Sequence, residues 1–137
     1  MPPNNNNNNG DFNQGLNLFN RAHFFDAHEV LEDVWRSVPR DQPLRRHLQG
    51  MVQLAVAFHH ESKGNHVGAR SVLERALRNL NGGDNSFPHI DLERLRADLA
   101  PWRQYLDDSP SALHARVDAQ DVSAPKAPAL PKIMLRR

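Results

Sequence analysis

The stretch MVQLAVAFHH, residues 51–60, is apolar on nearly every side of a helix. A helix of that kind has no face to give to water, so it is stable only when other elements cover it all round. Its pattern runs from about Pro43 to Lys63 and predicts the central helix of a bundle. The rest of the chain supplies the cover. Phe12, Leu16 and Phe19 recur at helical spacing, which predicts a first helix from Asp11 to about Ala22. Ala27, Val30, Leu31, Val34, Trp35 and Val38 form the stripe of a second, from about Phe25 to Val38. Asp26 with Glu29 reads as its capping box, and Pro39 as its stop. Gly64 ends the third helix and Asn65 caps a fourth, about His66 to Leu80. After the break NGGDN, the residues Leu92, Leu95, Leu99, Trp102 and Leu106 mark a fifth, Asp91 to Leu106, which Pro101 should kink or split. No segment alternates like a strand. The expected fold is all-α, a compact bundle of about five helices.

The helices come in pairs. Sliding residues 12–35 onto 54–77 matches Gly15 with Ala57, Leu16 with Phe58, Ala27 with Ala69, Leu31 with Leu73 and Val34 with Ala76. Small residues meet small ones and large meet large, as in a weakly tetratricopeptide-like repeat. Two such hairpins are too few for a free-standing solenoid, which needs about three repeats to bury its faces. The expectation is therefore two helix hairpins closed by the fifth helix as a cap.

The ends differ from this middle. Residues 1–10, MPPNNNNNNG, have nothing to bury and read as a disordered, Asn-rich leader. Residues 109–130 are Pro-, Ala- and Ser-rich and read as a linker. In 131–137, Ile133, Met134 and Leu135 offer enough apolar surface to dock extended on the bundle formed by 11–108.

Several functional classes drop out. With no cysteine, thiolate catalysis, zinc ribbons, iron–sulfur clusters and disulfides are excluded, and a reducing cytoplasm is the compartment that fits. The first residues lack the basic and apolar regions of a signal peptide. No apolar run reaches the roughly 18 residues of a membrane span. The net charge of +1 is too balanced to call for a nucleic-acid or membrane-surface partner. Ser37, Ser62 and Ser71 sit on helices without a nucleophile elbow, and no Gly-rich phosphate loop follows a strand.

What remains is polar residues inside helices that otherwise read as buried. At about 100° per residue, His28 and Trp35 share one edge of the second helix, and Glu32 lies one turn from His28. Glu29 faces more nearly to solvent. On the third helix Gln49, Gln53 and His60 fall within about 40° of one another, while His59 points elsewhere. Antiparallel neighbours would bring these edges together as a polar pocket of His28, Glu32, Gln49, Gln53 and His60 walled by Trp35. Three readings follow: a structural hydrogen-bond network, a pocket for a small-molecule or peptide ligand, or a divalent metal held by His28, Glu32 and His60. In the last, Glu29 or Glu32 would activate a bound water for hydrolysis. A further alternative makes the chain a protein-interaction module using the outer surface of its hairpins. His23, His47, His66, His89 and His114 read as surface or turn residues. The sequence implies no particular oligomeric state.

The segments FNQGLNLFNRAHFFDAHEVLEDVW and LQGMVQLAVAFHHESKGNHVGARSVLERAL resemble the small all-helical family known as domain of unknown function 309. Its pattern is a phenylalanine-bearing first helix, then aHEvlE..W, then lQG.iQlA with a later histidine and gN..gA. His28, Glu29, Glu32, Trp35, Gln49, Gly50, Gln53, Gly64, Asn65 and Ala69 match by position, with His59 or His60 standing for the histidine. The resemblance implies a multi-helix bundle whose motif residues gather in one place, and it supplies no reaction. Members often end in a short Pro-containing apolar segment, to which LPKIML is similar.

Overall fold

The structure, a computed structural model, describes residues 4–108 and 126–136, with side chains from residue 10 onward. Five helices follow one another: α1 (Asn4–Asn20), α2 (Phe24–Arg36), α3 (Pro43–Ser62), α4 (His66–Leu80) and α5 (Leu92–Asp108), with a 3-10 turn at Gly83–Asn85. Among the described residues the only β pairing is an isolated bridge between Ile90 and Leu135, and no helix is long and apolar enough to cross a membrane. Each helix packs on the next, most extensively α3 on α4 and then α2 on α3. The second half of α3 is covered as its composition requires: Met51, Leu54, Ala55, Ala57 and Phe58 are all buried. Phe58 lies at the centre, its ring meeting Phe19 of α1, Phe24 of α2 and Trp102 of α5.

All five residue pairs that align between the two halves of the sequence are buried in both hairpins. Gly15, a small member of these pairs, sits where helices approach closely: a Cβ there would lie 2.7 Å from Leu31 Cδ2. Outside the pairs, a Cβ on Gly50 would lie 2.8 Å from Leu80 Cγ and 3.1 Å from the Ala76 carbonyl oxygen. α4 begins where the sequence places it, with the Asn65 side chain accepting the Gly68 N–H at 2.9 Å. Gly64, with φ at +79°, makes the left-handed turn before it.

Four local expectations are corrected. α1 starts at Asn4 rather than Asp11; once the buried turns of a helix are formed, each added residue needs little further free energy even for a mediocre helix former. No capping box forms at Asp26, because α2 begins at Phe24 and its N-cap is His23, whose side chain makes no capping hydrogen bond. The cause is the burial of Phe24 against Phe19 and Phe58, which draws the helix start toward the core. Pro101 does not split α5, which runs unbroken to Asp108; Leu99, Trp102 and Leu106 are buried on both sides of it and hold the helix to the bundle. His47 is not a surface residue but a buried one.

Residues 126–136 cross the bundle in extended form. Pro131 and Ile133 are buried, and Asn20 brackets Ile133, its amide donating to the carbonyl at 2.9 Å while its oxygen accepts the N–H at 2.7 Å. The Trp102 indole donates to the Ala129 carbonyl at 2.9 Å. Of the linker expected over 109–130, residues 109–125, with His114 among them, lie outside the described residues.

Candidate functional site

Two contacts fix the antiparallel register of α2 and α3. The Arg45 guanidinium stacks 4.4 Å over the Trp35 ring at one end, and Phe25 meets His59 at 5.4 Å at the other. His28 and Glu32 lie between them on α2. His28 Nε2 is 3.8 Å from Glu32 Oε2, and Glu32 Oε1 is 3.2 Å from Arg36. Arg45 is held in place by donating to the Val38 carbonyl at 2.8 Å. The Trp35 indole N–H is buried, yet it finds no acceptor among the described residues. A buried donor left unmade costs about 1–3 kcal/mol.

The polar strip of α3 does not close against His28 and Glu32. With about 100° between residues, Gln49 marks the outward line of α3, Arg45, Val52 and His59 lean toward α2, and Gln53, Arg46 and Gly50 lean toward α4. The contacts agree. Gln53 accepts from Asn79 of α4 at 2.7 Å, Arg46 donates to the Arg78 carbonyl at 2.6 Å, and Gly50 packs on Leu80. The His60 ring is 3.3 Å from the Asn65 amide at the turn into α4. His59, not His60, is the α3 histidine on the side of His28, the two joined through Phe25. Periodicity grouped the strip correctly, but the strip lies over the gap between two neighbours rather than against one.

For the same reason His28, Glu32 and His60 are not assembled as a metal-ligand set. Among the described residues no three His, Asp or Glu side chains converge as a metal requires. Glu29 is exposed on the outside of α2, away from any such set. What the fold does provide is one continuous outer face across α2, α3 and α4. His28, Glu32 and Trp35 form one side, half-buried Gln49 and Val56 the floor, and the Gln53–Asn79 and His60–Asn65 pairs the far side.

Many of the motif residues are accounted for by folding alone. Gly50 admits α4, Gly64 makes the turn, Asn65 caps α4, Ala69 is core, and Gln53 and His60 bond to α4 and its cap. His28, Glu32 and Gln49 have no comparable task, whereas Trp35 serves the fold through its stacking with Arg45. His28 bonds only along its own helix, and no hydrogen bond holds Gln49 among the described residues.

The sequence reading missed a second polar centre. His47 is buried against Gly83, where a Cβ would lie 3.2 Å from the imidazole, and its Nδ1 is 2.6 Å from Ser86 Oγ. The signal was present in the spacing, since His47 shares its face with Met51, Leu54 and Phe58. Ser86 also lines a cleft of about 610 Å³ whose walls are mainly apolar, including Phe12, Val38, Leu44 and Phe87. Burial, reinforced by the neighbouring Arg46 charge, holds the His47 pKa below the usual histidine range. A lowered value means that the folded state resists protonation more than the unfolded chain does. The contribution is therefore present above about pH 6.5 and is lost as the pH falls through the folded-state value. Denaturation midpoints measured from pH 7.5 down to pH 5 are expected to fall more steeply for the native chain than for His47→Gln; equal slopes would contradict this assignment.

Residues 12–72 match the family model described as domain of unknown function (DUF309). An uncharacterised protein of Aquifex aeolicus is 30% identical over 81 residues, 59% of this chain and 24% of its own length. The uncharacterised protein YpuF of Bacillus subtilis is 30% identical over 73 residues, 53% of this chain and 41% of its own length. The chain thus spans less than half the length of either relative. The matched span covers the second half of α1, all of α2 and α3 and the first half of α4, and so most of the face on which the motif residues stand. Over residues 12–72, this chain is therefore similar to the domain of unknown function DUF309.

Proposed function

We propose that the chain is a cytoplasmic binding protein whose working surface is the outer face of α2, α3 and α4, with His28, Glu32, Trp35 and Gln49 as its contact residues. One observation carries the reading: the Trp35 indole N–H is buried on this face with no acceptor among the described residues. A buried donor kept unpaired is costly unless something outside the bundle satisfies it. Arg45 stacked on the same ring adds a charged donor beside it, and the Gln49 amide stands one turn further along α3. The matching ligand is a small molecule or peptide segment that presents carbonyl or carboxylate oxygens, with the Trp35 ring as its apolar support.

Trp35→Phe keeps most of the ring and removes the N–H. In the free protein, relief of the unpaired donor offsets part of the lost packing, so unfolding free energy is expected to stay within about 1 kcal/mol of the native chain. A panel of carboxylates and blocked dipeptides, screened by thermal shift, is expected to give hits that Trp35→Phe abolishes. A loss of about 3 kcal/mol in the free variant, or hits indifferent to the substitution, would sink the proposal.

A further inference from the structure

Away from that face, the groove between α1, the 87–91 turn and α5 holds the C-terminal segment in a way that reads a backbone rather than a sequence. Asn20 bonds both main-chain groups of Ile133, at 2.7 and 2.9 Å. The Asp91 N–H donates to the Met134 carbonyl at 2.9 Å, and the His89 carbonyl accepts the Arg136 N–H at 2.7 Å. These bonds require only that the occupant be extended. Side-chain selection falls on two positions: Pro131 and Ile133 are buried, whereas Lys132, Met134 and Leu135 are exposed. Open space also flanks the occupant, because Leu135 borders one cleft toward Asn17 of α1 and another toward Phe87.

We propose that this groove is a peptide-recognition site, that residues 129–136 are its built-in competitor, and that the partner is an extended peptide carrying Pro-x-Ile. Addition of an extended segment by main-chain bonds, with pockets for alternate side chains, is an established mode of peptide capture. Here the exposed, alternating side chains of the tail mark which positions of a partner are free to vary. The tail is held by a handful of main-chain bonds and two buried side chains, so it opens locally without unfolding the helices. A tethered competitor acts at an effective concentration on the order of millimolar, which keeps weak peptides out and admits a better or more abundant one.

The test uses the full-length chain and a fluorescent synthetic peptide of residues 129–137. Ile133→Asp places a charge at a buried apolar position and should evict the tethered tail while leaving the helical circular-dichroism signal intact. This variant is expected to bind the peptide saturably, and at least about tenfold more tightly than the native chain, whose own tail competes. The same peptide with its isoleucine replaced by aspartate should bind neither, and Asn20→Ala added to Ile133→Asp should weaken binding. A folded Ile133→Asp chain with no saturable binding up to about 1 mM peptide overturns the proposal. If that variant fails to fold, amide exchange in the native chain decides. Ile133 and Arg136 amides that exchange faster than those of α3, and lose protection when peptide is in excess, support it. Tail amides that open only with global unfolding overturn it.

Discussion

Phe58→Ala is expected to lower the unfolding free energy by about 3–5 kcal/mol, the range for deleting a buried aromatic ring. Phe58 is 2% exposed and meets rings from three other helices, Trp102 at 5.0 Å, Phe24 at 5.6 Å and Phe19 at 6.1 Å. Its removal therefore opens a cavity that no single helix can close by shifting. Domains of this size have only about 5–15 kcal/mol of stability, so the variant should sit near its folding limit. Urea denaturation reads the effect, and a loss below about 1.5 kcal/mol would mean that the rings do not meet as described.

Gly50→Val is expected to cost about 3 kcal/mol or more, from overpacking rather than from a cavity. Its Cβ alone would lie 2.8 Å from Leu80 Cγ and 3.1 Å from the Ala76 carbonyl oxygen, and the backbone atom cannot rotate away. The added methyl groups must push α3 and α4 apart along the most extensive helix contact of the bundle. Gly10→Ala is the control, because nothing lies within 4 Å of that position. There the better helix former should be neutral or stabilising by roughly 0.5–1 kcal/mol. Equal costs at the two sites, measured by denaturant titration, would count against close approach at Gly50.

The bundle was legible because a segment apolar on nearly every side admits few solutions, and because the breaks at Pro39, Gly64 and Asn65 are local chemistry. α4 accordingly begins and ends where its spacing places it. The start of α2 was legible to within a residue, but its cap was not: a capping-box pattern at Asp26 competes with burial of Phe24, and burial, a tertiary effect, wins. Pro101 shows the same hierarchy, since the packing of its neighbours outweighs one missing backbone donor. The polar strip of α3 was grouped correctly, but helical periodicity gives angles, not neighbours. Nothing in the spacing of Gln53 says that Asn79, 26 residues on, will claim its oxygen. His47 differs again: its polar identity argues for the surface while its register points inward, and the register holds.

That His28, Glu32 and Gln49 are spared by the fold is the claim on which the functional reading stands. Each has a side chain at the outer face, and none bonds to another helix among the described residues. The most direct measurement is the denaturation free energy of His28→Ala/Glu32→Ala/Gln49→Ala, determined beside the native chain. If these side chains are kept for a ligand, the triple variant should unfold within about 1 kcal/mol of the native protein, as surface changes do. A loss of about 3 kcal/mol or more would show that they form a network the fold depends on, and would contradict the assignment of this face as a binding surface.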